Sequence, residues 1–221
     1  MNKLDNQIAM NKKIKICFID EEATWRMEAY RNFKDEFEVH IVEDDQFPKE
    51  VSGIWQIITD ADADVVIVDY RLNESGILSY TGESVLREIR KHNLYLPVFM
   101  VTSYEDNAIQ ECDEVQIIRG KNVLNTAENL SKFKHLISAA VERYQKKKSE
   151  SEKIVQELSR KLDAGQTLTA SEVAHKFDAE LYLASLDLES GVRANMINQT
   201  TSQQMSDMIT LAQSIVERLD K

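Results

Sequence analysis

The chain has 221 residues, 43% hydrophobic and 29% charged, with a formal net charge of −11. That balance is typical of a folded protein large enough for one ordinary domain and a smaller one. The acidic charge argues against a phosphate backbone as the default partner, because nucleic-acid binding relies on basic patches and released counterions.

In chain order, the first element is the apolar run IKICFI (14–19), which reads as a strand. Asp20, Glu21 and Glu22 follow it directly, and Trp25 is the first core-facing residue of the next helix. FEVHIV (37–42) alternates as a second strand, and Val51, Ile54, Trp55 and Ile58 share one face of a helix. DVVIVD (64–69) is continuous and valine-rich, as expected of a strand covered on both faces. A long loop between Leu72 and Gly82 precedes a helix marked by Val85, Leu86 and Ile89. PVFMVT (97–102) is the fourth strand, and the short span from Ser103 to Gln116 leaves room for only a cramped helix. VQII (115–118) reads as the fifth strand, and Leu130, Phe133, Leu136, Ile137, Ala140, Val141 and Tyr144 mark a longer amphipathic helix. Five strands alternating with helices predict an α/β domain over 12–145, with a five-stranded parallel doubly wound sheet.

The 146–221 region contains no further strand-like run and is expected to be all-α. The helix opening near Thr126 either continues to about Asp163 or frays into a polar linker at 145–153. Gly165 is a natural stop, and Thr169 with Glu172 forms a capping box for a helix over 170–187. Gly191 suggests another break, and Met205, Met208, Ala212, Ile215 and Leu219 form a short heptad seam at 199–219. The region therefore reads as a helical output or dimerisation unit, with a coiled-coil or small-bundle stripe. Lys146–Lys148 read as a solvated helix face, and His40 and His92 as surface or edge residues. Cys17 and Cys112 lack metal-ligand spacing and read as idle thiols of a reducing compartment. No signal peptide or membrane-length apolar run is visible, so a cytoplasmic protein is expected.

The chemistry sits at strand ends. Asp20, Glu21 and Glu22 follow the first strand, and Asp69 closes the third. Thr102 and Ser103 close the fourth, and Lys121 or Arg119 lies at the fifth. In a parallel sheet these ends share one edge. Clustered carboxylates suit Mg²⁺, and an Asp beside such an ion can attack phosphorus to form an aspartyl phosphate. A nearby ammonium and a hydroxyl would neutralise and sense the phosphoryl group.

FIDEE, VIVDYRL, GESVLREIRK and PVFMVTS, in this order, resemble the motifs of two-component response-regulator receiver domains, whose fold is flavodoxin-like. The resemblance implies Asp69 as phosphoacceptor, with Thr102 and Lys121 beside it. It also implies Mg²⁺ held by Asp20 or Glu21, Asp69 and the backbone carbonyl of Arg71. A histidine kinase or phosphotransfer protein would be the donor, and the output a homodimer or a helical protein partner. The chain would be a phosphoacceptor rather than a turnover enzyme. Departures are the proline-free loop after Leu72, IIRGKN in place of a Lys-Pro ending, and no ring on the fifth strand. The alternatives are a DNA-binding regulator with a helix-turn-helix near 169–190 and a degenerate receiver working without phosphate. A phosphoester hydrolase is a third, although position 71 carries Arg where such an enzyme needs a second Asp.

Overall fold

The structure, a computed structural model, describes residues 13–187; the expected break at Gly191 and the seam at 199–219 lie outside them. The described elements are β1 (Lys15–Ile19), α1 (Ala23–Phe33), β2 (Glu38–Ile41), α2 (Ile54–Asp60) and β3 (Val65–Asp69). They continue with α3 (Gly82–His92), β4 (Val98–Thr102), α4 (Glu105–Glu111), β5 (Ile118–Gly120), α5 (Ala127–Asp163) and α6 (Ala170–Ala184). The strands form one parallel sheet in the order β2-β1-β3-β4-β5.

Strand alternation distributes the core over two faces. Cys17, Ile19, Val66, Val68, Val98 and Met100 meet Ile54 and Ile58 of α2, Val85 and Ile89 of α3 and Ala108 of α4. Ile16, Phe18, Val65, Ile67, Phe99 and Val101 meet Ala29 and Phe33 of α1 and Phe133, Ile137 and Val141 of α5. Val65 through Val68 are all fully buried, each contributing about 1.5–3 kcal/mol of transfer free energy. Helices therefore cover both faces, and the chain reverses its direction of travel between β1 and β3, where such sheets bind ligands.

The fifth strand lies three residues later than the sequence suggests. Val115–Ile117 form a 3-10 turn, with Ile117 N–H donating to Glu114 O, and pairing with β4 begins at Ile118. Because α4 ends at Glu111, residues 112–117 must carry the chain back to the sheet edge, and Val115 is left half exposed.

The chain divides into two compact units. One runs from the N-terminus through Lys91 and resumes over Leu96–Arg143; the other comprises His92–Tyr95 and everything from Tyr144 onward. The boundary falls within α5, which is one unbroken helix rather than two segments and a linker.

In the second unit α5 stops at Gly165, whose φ of +74° is the left-handed cap conformation. The Thr169 capping box opens α6: Thr169 accepts from Glu172 N–H, and the Glu172 carboxylate accepts from Thr169 N–H at 2.8 Å. Lys161 pairs with Glu172 at 2.6 Å, and Lys176 is buried in an ion pair with Glu180. The helix runs through Phe177 and Asp178 without a turn, so among the described residues 169–187 hold a single helix where the helix-turn-helix reading needs two. No turn-forming residue stands there to break it. His92 is buried rather than at the surface, because His92–Tyr95 pack within this unit. Leu94 N–H donates to Ser185 O, and Tyr95 lies 4.9 Å from the Tyr182 ring. Among the described residues no helix is long and apolar enough to cross a membrane.

Candidate functional site

Sheet register gathers the site. Ile19 pairs with Val68, so the next residues on each strand, Asp20 and Asp69, leave the sheet side by side. Asp69 pairs with Val101, which puts Thr102 one step further along the neighbouring strand. Thr102 pairs with Gly120, and Lys121 follows. Four strand ends thus deliver two carboxylates, a hydroxyl and an ammonium to one edge.

Lys121 Nζ lies 3.0 Å from Asp20 Oδ2 and 3.1 Å from Asp69 Oδ1, and all three side chains are nearly inaccessible to water. Asp20, Glu21 and Asp69 each offer a carboxylate oxygen within 4.8 Å of the others. Glu21 Oε2 is buried and has no hydrogen-bond partner among the described residues. Hard oxygen donors packed this closely, one of them unsatisfied, fit a divalent ion of the Mg²⁺ kind.

The electrostatics show the strain of that packing. Burial pushes the Asp20 carboxyl up to about 7, with Asp69 adding to the rise and Lys121 opposing it. Burial likewise raises Asp69 and Glu21, each against the pull of Lys121. Burial draws the Lys121 ammonium down, but Asp20 and Asp69 outweigh it and leave its pKa raised. One fixed cation therefore faces three carboxylates, and the deficit of positive charge is what a metal ion would fill.

Thr102 is fully buried, and its Oγ1 accepts from Tyr104 N–H at 3.0 Å, leaving the hydroxyl proton to donate. Arg71 N–H donates to Asp69 Oδ2 at 2.8 Å, while its carbonyl accepts a long bond from Glu74 N–H at 3.3 Å. Arg119 turns back on its own strand, bonding Gln116 O and Ile118 O, so Lys121 is the cleft's cation. Glu22 is exposed at the rim, 3.6 Å from Lys121 Nζ. Trp25 is half-buried, its ring 4.8 Å from the same ammonium.

Three supports escaped the sequence reading. Arg26 is buried, its guanidinium bonded to Asp20 O, Glu21 O and Asp44. Its signal was a charge at the head of the Arg26, Ala29, Phe33 face, a spacing of three and four on the buried side of α1. Tyr104 lies under the Arg71 guanidinium at 3.6 Å and donates to Glu74 at 2.9 Å, tying the β3–α3 and β4–α4 loops together. Tyr70, next to Asp69, donates to Glu111 in the last turn of α4. No local pattern marks the last two, because both partners are distant in sequence.

No family model matches the sequence, and no curated protein does. Among solved structures, the Salmonella typhimurium RcsB response regulator aligns at 16% identity and a TM-score of 0.43, over 78% of this chain and 93% of that one. The anti-anti-sigma factor PhyR from Bartonella quintana aligns at 16% and 0.40, over 63% of this chain and 56% of that one. The RcsB–DNA complex aligns at 15% and 0.42, over 84% and 98%. By its strand order and two-faced helical cover, the first unit has a receiver-like α/β fold, and a helical region follows it in the chain.

Proposed function

We propose that this chain is a phosphorylation switch in which Asp69 accepts a phosphoryl group with Mg²⁺ bound by Asp20, Glu21, Asp69 and the Arg71 carbonyl. The observation that carries the reading is the Lys121 ammonium held between Asp20 and Asp69 at one edge of the sheet. A structural salt bridge needs one carboxylate; here Lys121 meets those of Asp20, Glu22 and Asp69, and Glu21 joins Asp20 and Asp69 in one cluster at the switch point.

Asp69 Oδ attacks the phosphorus of a phosphohistidine. The new O–P bond forms as the P–N bond breaks, and the imidazole nitrogen leaves with the electron pair. Held by Asp20, Glu21, Asp69 and the Arg71 carbonyl, a divalent ion would supply neutralisation of the phosphoryl oxygens. Lys121 moves its charge from the carboxylates to a phosphoryl oxygen, and the Thr102 hydroxyl donates to another. A histidine kinase or phosphotransfer protein is the donor, and the chain turns nothing over beyond its own phosphorylation and dephosphorylation.

The output runs through protein contacts of the helical region, by self-association or a helical partner, rather than through DNA. Support comes from the second unit's cations: Lys161 and Lys176 are committed to Glu172 and Glu180, and Lys147 sits over Tyr182. The chain's net charge of −11 points the same way, because it opposes approach to a phosphate backbone.

Beryllofluoride with Mg²⁺, a mimic of the acyl phosphate, tests the switch. Wild type should change both Trp25 fluorescence and solution mass, and Asp69→Asn neither. Absence of any response in wild type sinks the phosphorylation reading. A salt-sensitive gel shift on duplex DNA would replace protein contacts with DNA as the output.

A further inference from the structure

We infer that Arg26 is a positioning residue for the metal ligands, setting the affinity of the site for a divalent cation; the inference rests on the phosphorylation-switch reading above. Nη1 donates to Asp20 O at 3.0 Å and to Glu21 O at 2.8 Å. Nη2 donates to Asp44 Oδ1 at 2.7 Å, and Nε lies 3.5 Å from Glu43 Oε2. The side chain is 5% exposed.

The two carbonyls held by one nitrogen belong to the two residues whose carboxylates enter the cluster with Asp69. Pinning both peptide planes fixes where both side chains leave the chain. Asp20 Oδ1 is further occupied by Glu22 N–H at 2.9 Å, so rotation about Asp20 is limited as well. The backbone that carries Glu21, whose Oε2 is buried without a hydrogen bond among the described residues, is thereby held in one orientation toward the cluster. The guanidinium also ties this loop to Asp44 and Glu43, two exposed acidic side chains beyond β2. The planar fork, with five donors, reaches acceptors in several directions at once; a lysine ammonium at the same position, with three, reaches fewer of them.

Such outer supports commonly set metal affinity without touching the metal. The test uses the full chain carrying Trp55→Phe, so that Trp25 reports alone, with Mg²⁺ titrated at pH 8 by fluorescence and by calorimetry. Folding is checked by circular dichroism and thermal unfolding without metal. Arg26→Gln should remain folded at low temperature with its Mg²⁺ Kd raised about ten-fold. Arg26→Lys, which keeps the charge and loses the fork, should fall between it and wild type. A residue that only anchors α1 would lower the unfolding temperature and leave the Kd of the folded protein unchanged. A folded Arg26→Gln within two-fold of wild type therefore overturns the inference. If that variant does not fold, Arg26→Lys decides by the same criterion. A wild type that binds no Mg²⁺, indistinguishable from Asp20→Asn, instead overturns the metal site itself and the inference with it.

Discussion

Asp20 gives up nearly all contact with water on folding, and its carboxyl, normally near 3.8, is pushed up to about 7. The unfolded chain releases this proton near pH 4, whereas the folded chain holds it to about 7. Between those values the folded state binds more protons, so stability falls as pH rises through the window and levels off above it. Asp69 and Glu21 are raised for the same first cause and add to the same slope. We expect metal-free protein to lose on the order of 2–3 kcal/mol between pH 4 and 7, measured by urea unfolding. Saturating Mg²⁺ should remove most of that loss, because the ion displaces the proton. Lys121→Met strips the cluster of its cation; at pH 8 it should cost about 3 kcal/mol without metal, and less at pH 5, where Asp20 is protonated. Equal losses at both pH values would mean that Lys121 acts by packing alone.

Gly82 opens α3 where the chain passes closest to the phosphoacceptor. Its N–H donates to Tyr70 O at 2.8 Å, and a Cβ there would lie 2.1 Å from Asp69 O and 2.9 Å from Tyr70 Cα. Both obstacles are backbone, so Gly82→Ala cannot be absorbed by a rotamer change. It should cost about 3 kcal/mol and weaken Mg²⁺ binding together with stability. Tyr70→Phe is milder: it frees Glu111 and should cost about 1 kcal/mol, with faster amide exchange confined to α4. These contacts also explain which elements were legible. β1, β3 and β4 are buried on both faces, so each shows as an unbroken apolar run, and their order alone places Asp20, Asp69 and Thr102 at one edge. β5 is a three-residue edge strand reached through a 3-10 turn, and the apolar Val115 and Ile117 of that turn imitate a strand. Lys121 and Arg119 could not be separated from sequence, because which one enters the cleft depends on that three-residue shift. Arg26, Tyr70 and Tyr104 act through tertiary contacts that no periodicity records.

At the scale of the whole chain, the site and its support are self-contained. Both core clusters, the carboxylates, Thr102, Lys121, Arg26 and Trp25 all lie within residues 13–143. A fragment ending at Arg143 should therefore fold and bind Mg²⁺ with a Kd within about two-fold of the full chain's, since nothing that shapes the first shell of the ion is removed. Its stability should nonetheless fall by about 2 kcal/mol or more, because Asn93, Leu94 and Tyr95 lose their partners Tyr144, Ser185 and Tyr182. The same fragment should keep the beryllofluoride change in Trp25 fluorescence and lose the change in solution mass. Survival of the fluorescence response without the mass response assigns sensing to the sheet edge and output to the helical region. A fragment that still changes mass would move the output surface onto the first unit. A fragment that folds but no longer binds Mg²⁺ would show that the helical region takes part in shaping the site.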